Sequence, residues 1–236
     1  MKTLGLIGGM SWESTLLYYR IINQLVNERL GGLHSAKMFL YSNDFQQINY
    51  LQKQNRWQDA GNILAEQARA LCDQGAEAIV LCTNTMHRVA STIEDAIDNI
   101  PLLHIVDPTA EAIKRKNMRT IGLLGTHFTM GHSFFSDRLH NQYGLRVLTP
   151  SPEDRDTMDG IIYSELCRGE IFESSRKAVH QIIDRLVDDG AEGIILGCTE
   201  ITMLISQSDT QTPLFDTTTL HAQSAAAWAL SDEDVG

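Results

Sequence analysis

One stretch of this chain occurs nearly twice. Gly190-Ala191-Glu192-Gly193-Ile194-Ile195-Leu196-Gly197-Cys198-Thr199-Glu200 echoes Gly75-Ala76-Glu77-Ala78-Ile79-Val80-Leu81-Cys82-Thr83-Asn84-Thr85, offset by 190 − 75 = 115 positions. A second echo sets Thr3-Leu4-Gly5-Leu6-Ile7-Gly8-Gly9 against Thr120-Ile121-Gly122-Leu123-Leu124-Gly125-Thr126, offset by 120 − 3 = 117. Two echoes in one order imply a duplicated half, and 236 residues suffice for two halves of ordinary domain size. Laid on the first echo without a gap, Cys198 falls opposite Thr83, and Cys82 falls opposite Gly197.

Short apolar runs alternate with helical patterns along the chain. Strands are predicted at 3–7, 36–42, 78–82, 101–107, 120–124, 145–148, in the run ending at Cys198, and at 213–216. Between them lie helices at 11–30, from 57 to 71, and at 87–97, 109–116, 129–142, 154–168, 174–189, 200–205 and 221–230. The polar stretch Asn43–Gln47 reads as loop, and Asp107 and Asp216 end corresponding strands. This alternation is the signature of parallel α/β architecture. The expected fold is therefore α/β with two pseudo-symmetric domains, each a roughly four-stranded parallel sheet flanked by helices. Residues 1–107 plus 216–236 would form one domain and 108–215 the other. Every polar signature falls at the carboxyl end of a strand, where open α/β sheets bind ligands, so a cleft between the domains is the expected site.

A net charge of −11 without a Lys/Arg cluster argues against nucleic acid or an anionic membrane surface as partner. No apolar run approaches the roughly 20 residues that span a bilayer. The N-terminus lacks a signal-peptide pattern, so a cytoplasmic location is expected. Cys72, Cys82, Cys167 and Cys198 show no Cys-x-x-Cys spacing, so neither a metal site nor a disulfide framework is indicated. Cys72 and Cys167 lie in predicted helices near apolar stripes, where core packing is their expected role.

Cys198 leaves a strand and enters the first turn of a helix, a field that favours thiolate. The alternative is a small buried residue. Cys82 and Thr83 are consecutive on a strand and cannot face one pocket together. The gapless echo assigns the pocket position to Thr83, whereas a one-residue bulge would assign it to Cys82. His87 and His104 read either as acid/base groups or as satisfied structural histidines. Asn84, Thr85, Thr126 and Thr199 can hold a carboxylate together with loop amides, or simply cap helices. Gly8-Gly9 lacks the spacing of a nucleotide-binding loop.

Three ordered motifs carry a more specific likeness: Gly5-Leu6-Ile7-Gly8-Gly9-Met10-Ser11-Trp12-Glu13-Ser14-Thr15, Cys82-Thr83-Asn84-Thr85-Met86-His87 and Gly197-Cys198-Thr199-Glu200-Ile201. Through them the chain resembles the aspartate/glutamate racemase superfamily, on its amino-acid racemase branch. The resemblance implies racemisation without a cofactor, in which two cysteines flank the substrate as base and acid. The family's second motif, Gly-Cys-Thr, matches Gly197-Cys198-Thr199. Its first, Cys-Asn-Thr, matches Asn84-Thr85 with Thr83 in the cysteine position. An asymmetric enzyme follows as the expectation: Cys198 removes the α-proton of an L-amino acid, and Thr83 or water serves the opposite face. By the same resemblance Met10, Gln52, Asn84, Thr85, Thr126 and Thr199 border the substrate, with aspartate or glutamate the first guess. No Arg or Lys is clearly assignable to a side-chain carboxylate, although Lys53 lies near the right loop. A one-cysteine decarboxylase or isomerase, or a non-catalytic amino-acid-binding protein, are the competing readings. Trp12, Tyr18 and Tyr19 read either as an exposed aromatic face for a homodimer or as part of a core.

Overall fold

The computed structural model describes residues 1–232 and divides into two units. One runs from Met1 to Ile105 and resumes at His221; the other is Val106–Leu220.

In the first unit, β1 (Leu4–Gly8) is buried along its whole length, as an inner strand of a sheet covered on both faces must be. It pairs in parallel with β2 (Met38–Ser42) and β3 (Ala78–Leu81), and β3 pairs with β4 (Leu102–Leu103), giving the order β2-β1-β3-β4. Parallel neighbours require crossovers. These are α1 (Trp12–Leu30), then α2 (Phe45–Lys53) and α3 (Trp57–Asp73), then a 3-10 turn (Thr85–Val89) leading into α4 (Ala90–Glu94). Ser11 caps α1 by accepting from the Ser14 N–H, and Tyr18, Ile22 and Val26 bury one helical stripe. Leu4, Leu6, Tyr18, Ile22, Val80 and Cys82 form a core with Ala222, Ala225, Ala226 and Ala229 of the closing helix.

The second unit opens with α5 (Val106–Arg115). There follow β5 (Thr120–Gly125), α6 (His127–Gly131), α7 (Ser133–Tyr143), β6 (Arg146–Leu148) and α8 (Pro152–Ser164). After a 3-10 turn (Leu166–Arg168) come α9 (Glu173–Asp188), β7 (Gly193–Gly197), α10 (Ile201–Leu204), β8 (Leu214–Asp216) and the first turn of α11 (Thr217–Ala229), whose residues from His221 belong to the first unit. All pairings are parallel and the order is β6-β5-β7-β8, the same as in the first unit. Two four-stranded parallel sheets flanked by helices are thus present, as the alternation of apolar runs implies.

The repeated Gly-Ala-Glu has a structural use. Glu77 Oε2 accepts from the Thr3 N–H at 2.7 Å, and its own N–H donates to Thr3 O at 2.8 Å. Glu192 does the same in its unit, accepting from the Arg119 and Thr120 N–H groups at 2.6 and 2.8 Å and donating to Thr120 O at 2.9 Å. Each glutamate braces the first residues of its sheet's inner strand.

Several expectations are corrected. Residues 101–107 are not one strand: only Leu102–Leu103 pair, and Asp107 lies in the first turn of α5, where Pro108 needs no N–H partner. Asp107 instead takes a bidentate ion pair from Arg138, at 2.7 Å to each oxygen, so it is no counterpart of Asp216. The polar stretch from Asn43 opens α2, because Asp44 accepts from the Gln46 N–H; its glutamines hid the helix while Ile48 and Leu51 are buried. The helix expected over 129–142 breaks at His132, whose backbone is extended. Tyr18 is buried whereas Trp12 and Tyr19 are exposed, and Cys167 is exposed rather than part of the core. No helix among the described residues is long and apolar enough to cross a membrane.

Candidate active site

The sheet registers locate the two central positions. In the first unit Ile7 pairs with Leu81, and the Cys82 N–H continues the ladder to Ile7 O at 2.9 Å. In the second, Leu124 pairs with Leu196 and Gly125 with Gly197. Cys82 and Gly197 therefore hold equivalent ladder positions, and Thr83 and Cys198 each stand one residue beyond, without a bulge.

Cys82 is fully buried among core side chains, with Sγ 3.8 Å from Val80 O, and burial pushes its thiol far up. Gly197 is glycine for a steric reason: a Cβ there would lie 2.8 Å from Leu124 O. Thr83 is half-buried, and its carbonyl accepts from His87 Nδ1 at 2.8 Å. Because that carbonyl can only accept, His87 is protonated on Nδ1, and Nε2 accepts from the Ile105 N–H at 3.2 Å. His87 is thus a neutral structural link between the β3 loop and the end of β4. Its ring centroid lies 4.5 Å from that of His104 and 5.7 Å from that of His221, all three buried. His221 receives the Tyr18 hydroxyl on Nδ1 and donates from Nε2 to Leu103 O.

Other expected site residues of this unit gather at the same sheet edge. Met10 is buried in the turn after β1, which needs Gly9 at φ +80 because a Cβ would lie 2.3 Å from Asn43 O. Asn84 and Thr85 are buried at the start of the 3-10 turn after β3. Gln52 arrives from α2, donating from Nε2 to Met86 Sδ at 3.0 Å, while its Oε1 is buried without a hydrogen-bond partner among the described residues. Lys53 follows it as the last residue of α2 and is exposed.

In the second unit, Thr126 caps α6 by accepting from the Thr129 N–H at 3.3 Å, and lies 3.2 Å from the Thr129 hydroxyl. Thr199 is buried, and its carbonyl accepts from the Thr202 hydroxyl at 2.7 Å. Cys198 donates through Sγ to Glu200 Oε2 at 3.0 Å, and both residues are only 9% exposed. The expected thiolate-favouring field is absent. Burial first, then the Glu200 carboxylate, push the Cys198 thiol well above its ordinary value; the Glu200 backbone N–H pulls it weakly down. The helix that follows is only four residues long and supplies little dipole. Around the pair, Tyr163 is pushed up by burial and then by Cys198, and Cys167 up to about 12 by desolvation and Glu200.

Glu200 was visible as part of a motif but not as a site residue. The signal was its place two residues after Cys198 in one tight loop. Among the described residues no three His, Cys, Asp or Glu side chains form a metal-ligand group.

A family model described as Asp/Glu/Hydantoin racemase matches residues 7–225. The fold is similar to a crystal structure of a candidate Asp/Glu racemase from Yersinia pestis, with 53% identity, a TM-score of 0.92, and coverage of 98% of this chain and 100% of that one. It is also similar to an aspartate racemase homologue from Pyrococcus horikoshii OT3, at 33% identity and a TM-score of 0.84, covering 97% and 99% of the two chains. Glutamate racemase from Francisella tularensis, solved with D-glutamate, shares the fold at 14% identity and a TM-score of 0.67, over 98% of this chain and 82% of that one. The chain belongs to the Asp/Glu/Hydantoin racemase family, and with it to the isomerases.

Proposed function

We propose that the protein is a cofactor-independent racemase of aspartate or glutamate, in which Cys198 removes the α-proton of the L-enantiomer. Thr83, or a water held by it, returns a proton to the opposite face and is itself re-protonated from solvent in the same relay. The observation that supports this reading best is the ladder register: Thr83 and Cys198 stand at equivalent positions beyond their strands, while Cys82 is committed to the core. In the forward step the Cys198 thiol first gives up its proton to become a thiolate; the Cα–H bond then breaks, a new S–H bond forms, and the electron pair left on Cα spreads into the substrate carboxylate. A threonine hydroxyl is far too weak an acid to form the matching base, so attack on the D-enantiomer is disfavoured. Met10, Gln52, Asn84, Thr85, Thr126 and Thr199 are the proposed substrate contacts. The unpartnered Gln52 Oε1 is suited to accept from an ammonium.

The deciding experiment is α-proton exchange in D2O. The L-substrate should exchange much faster than the D-form, and Cys198→Ala should stop exchange altogether. Equal exchange from both enantiomers would sink the asymmetric mechanism.

One observation favours a second reading. The Cys198 thiol is held protonated at rest, which suits a one-cysteine decarboxylase that only protonates a carbanion. Carbon dioxide release from a substituted malonate, with no exchange of amino-acid α-protons, would select that alternative. A homodimer is proposed as well: Trp12, Leu16 and Tyr19 are exposed at helical spacing on one face of α1.

A further inference from the structure

We propose that Arg88 holds the side-chain carboxylate of an acidic amino-acid substrate and so selects aspartate or glutamate over neutral amino acids. The inference rests on the reading of this chain as an amino-acid racemase whose substrate reaches the carboxyl edge of the first unit's sheet. The Arg88 guanidinium lies over the Trp57 ring, 4.3 Å from its centroid, and Nη1 is shielded from solvent without a hydrogen-bond partner among the described residues. None of the ion pairs among the described residues includes Arg88. A guanidinium carries five N–H donors, and a shielded donor left unmade is costly. A carboxylate brought by a ligand removes that cost.

The backbone places this cation beside the proposed substrate contacts. Arg88 belongs to the 3-10 turn (Thr85–Val89) that leaves β3. Side chains three residues apart on such a turn project from one face, so Arg88 shares a face with Thr85. The rise of roughly 2 Å per residue sets the two positions about 6 Å apart along the turn. One carboxylate held at Thr85 and a second held at Arg88 then belong to the two ends of one short dicarboxylate. Helix α2 contacts the same turn: Gln52 Nε2 donates to Met86 Sδ at 3.0 Å, and Gln52 is only 3% exposed with Oε1 unpartnered among the described residues. Three residues earlier, Asn49 Oδ1 is likewise buried without a partner. One unmade cationic donor and two unmade acceptors on contacting elements complement a ligand that carries both carboxylate and ammonium.

Neighbouring basic groups are engaged or solvated. Lys53 is exposed, Arg56 is ion-paired with Asp59 at 2.7 Å, and His87 commits its nitrogens to Thr83 O and the Ile105 N–H. Trp57 is buried and its Nε1 donates to Asn55 Oδ1 at 2.7 Å, so the ring beneath the guanidinium is fixed. Burial draws the Arg88 pKa down from its ordinary value. The planar fork of a guanidinium matches a carboxylate through two parallel N–H bonds, which the single oxygen of a carboxamide side chain cannot accept in the same way.

Glutarate and succinate probe the second carboxylate without turnover, with pentanoate as the monocarboxylate control, and titration calorimetry reads their binding. Native protein should bind both dicarboxylates at least tenfold more tightly than pentanoate. Arg88→Gln should weaken them about tenfold to a hundredfold and leave pentanoate unchanged. Arg88→Lys keeps the charge and the stem over Trp57 but loses the fork; it should fall between, and it carries the comparison if Arg88→Gln does not fold. In α-proton exchange, Arg88→Gln should raise KM for L-glutamate by a similar factor with a smaller fall in kcat, and erode the preference for L-glutamate over L-glutamine. Equal dicarboxylate affinity in native protein and the folded variants, or a native protein that binds glutarate no better than pentanoate, would overturn the proposal. The two ideas fail separately. Arg88-dependent glutarate binding without α-proton exchange from any L-amino acid would remove the racemase reading and leave the carboxylate site. Exchange with unaltered L-glutamate selectivity in Arg88→Gln would remove Arg88 and leave the reading.

Discussion

His87 Nδ1 donates to the carbonyl of Thr83 at 2.8 Å and holds the backbone of the residue equivalent to Cys198. The bond is partly buried, and the same ring accepts from the Ile105 N–H in a buried bond. His87→Ala removes the partner of one buried and one partly buried backbone group, a buried one being worth about 1–3 kcal/mol when left unsatisfied. We expect a loss of roughly 2–4 kcal/mol in denaturant unfolding by the same reasoning. His87→Asn, whose amide can replace the Nδ1 donor, should restore part of it. Unchanged stability in His87→Ala would show that the loop is held by other contacts.

Cys82 separates packing from chemistry. Cys82→Ala should cost about 1–2 kcal/mol for the small cavity it leaves, yet keep α-proton exchange from the L-substrate. A collapse of exchange in a folded Cys82→Ala protein would return the catalytic role to this thiol.

The same residue governs stability at alkaline pH. Its folded pKa is raised above the ordinary 9.0 by burial. Below that value both folded and unfolded thiols are protonated, so the contribution is fully present. Above it the unfolded thiol ionises while the folded one stays neutral, and stability falls as pH rises toward the folded value. The slope is about 1.4 kcal/mol per pH unit for one proton. Equilibrium unfolding at increasing pH should therefore fall less steeply in Cys82→Ala than in the native protein.

On the acid side the brace at Glu192 is the group to follow. Its carboxyl lies below the usual range because two backbone N–H groups, of Arg119 and Thr120, donate to it. The stabilisation is present above the ordinary carboxylate range and is lost as pH falls through the depressed value. Glu192→Gln should flatten that acid-side decline, measured by thermal unfolding as a function of pH.

Position 197 tests the approach to the thiol. A Cβ on Gly197 meets Leu124 O, a backbone atom, so Gly197→Ala must shift the strand end rather than a side chain. We expect a cost of about 1–3 kcal/mol from overpacking, and at least a tenfold drop in L-substrate exchange, since displaced reacting groups lose rate steeply. Full exchange would mean that the loop absorbs the change.

The proposed homodimer would cover Trp12, Leu16 and Tyr19. Trp12→Glu should shift the sedimentation mass from dimer toward monomer without unfolding α1. A native protein that sediments as a monomer at working concentration would end that proposal.

Much of this architecture could be read along the chain. Buried parallel strands are short, near-continuous apolar runs, and β1, β3, β5 and β7 appear as such, so the duplication and the α/β class were plain in one dimension. The elements that were misjudged failed for local reasons. Strand β4 keeps two residues because the chain turns into α5 at Val106, and α2 escaped notice because its exposed face is built from glutamines. Sequence alone therefore determined the repeat, the family likeness, and the alignment of Thr83 with Cys198 in the two echoes. Only the tertiary structure decided which way Cys82 turns, that Glu200 reaches the Cys198 sulfur, and that His87 locks the Thr83 carbonyl. Those outcomes depend on side-chain direction and burial, which set protonation through distances of a few ångströms that residue order does not encode.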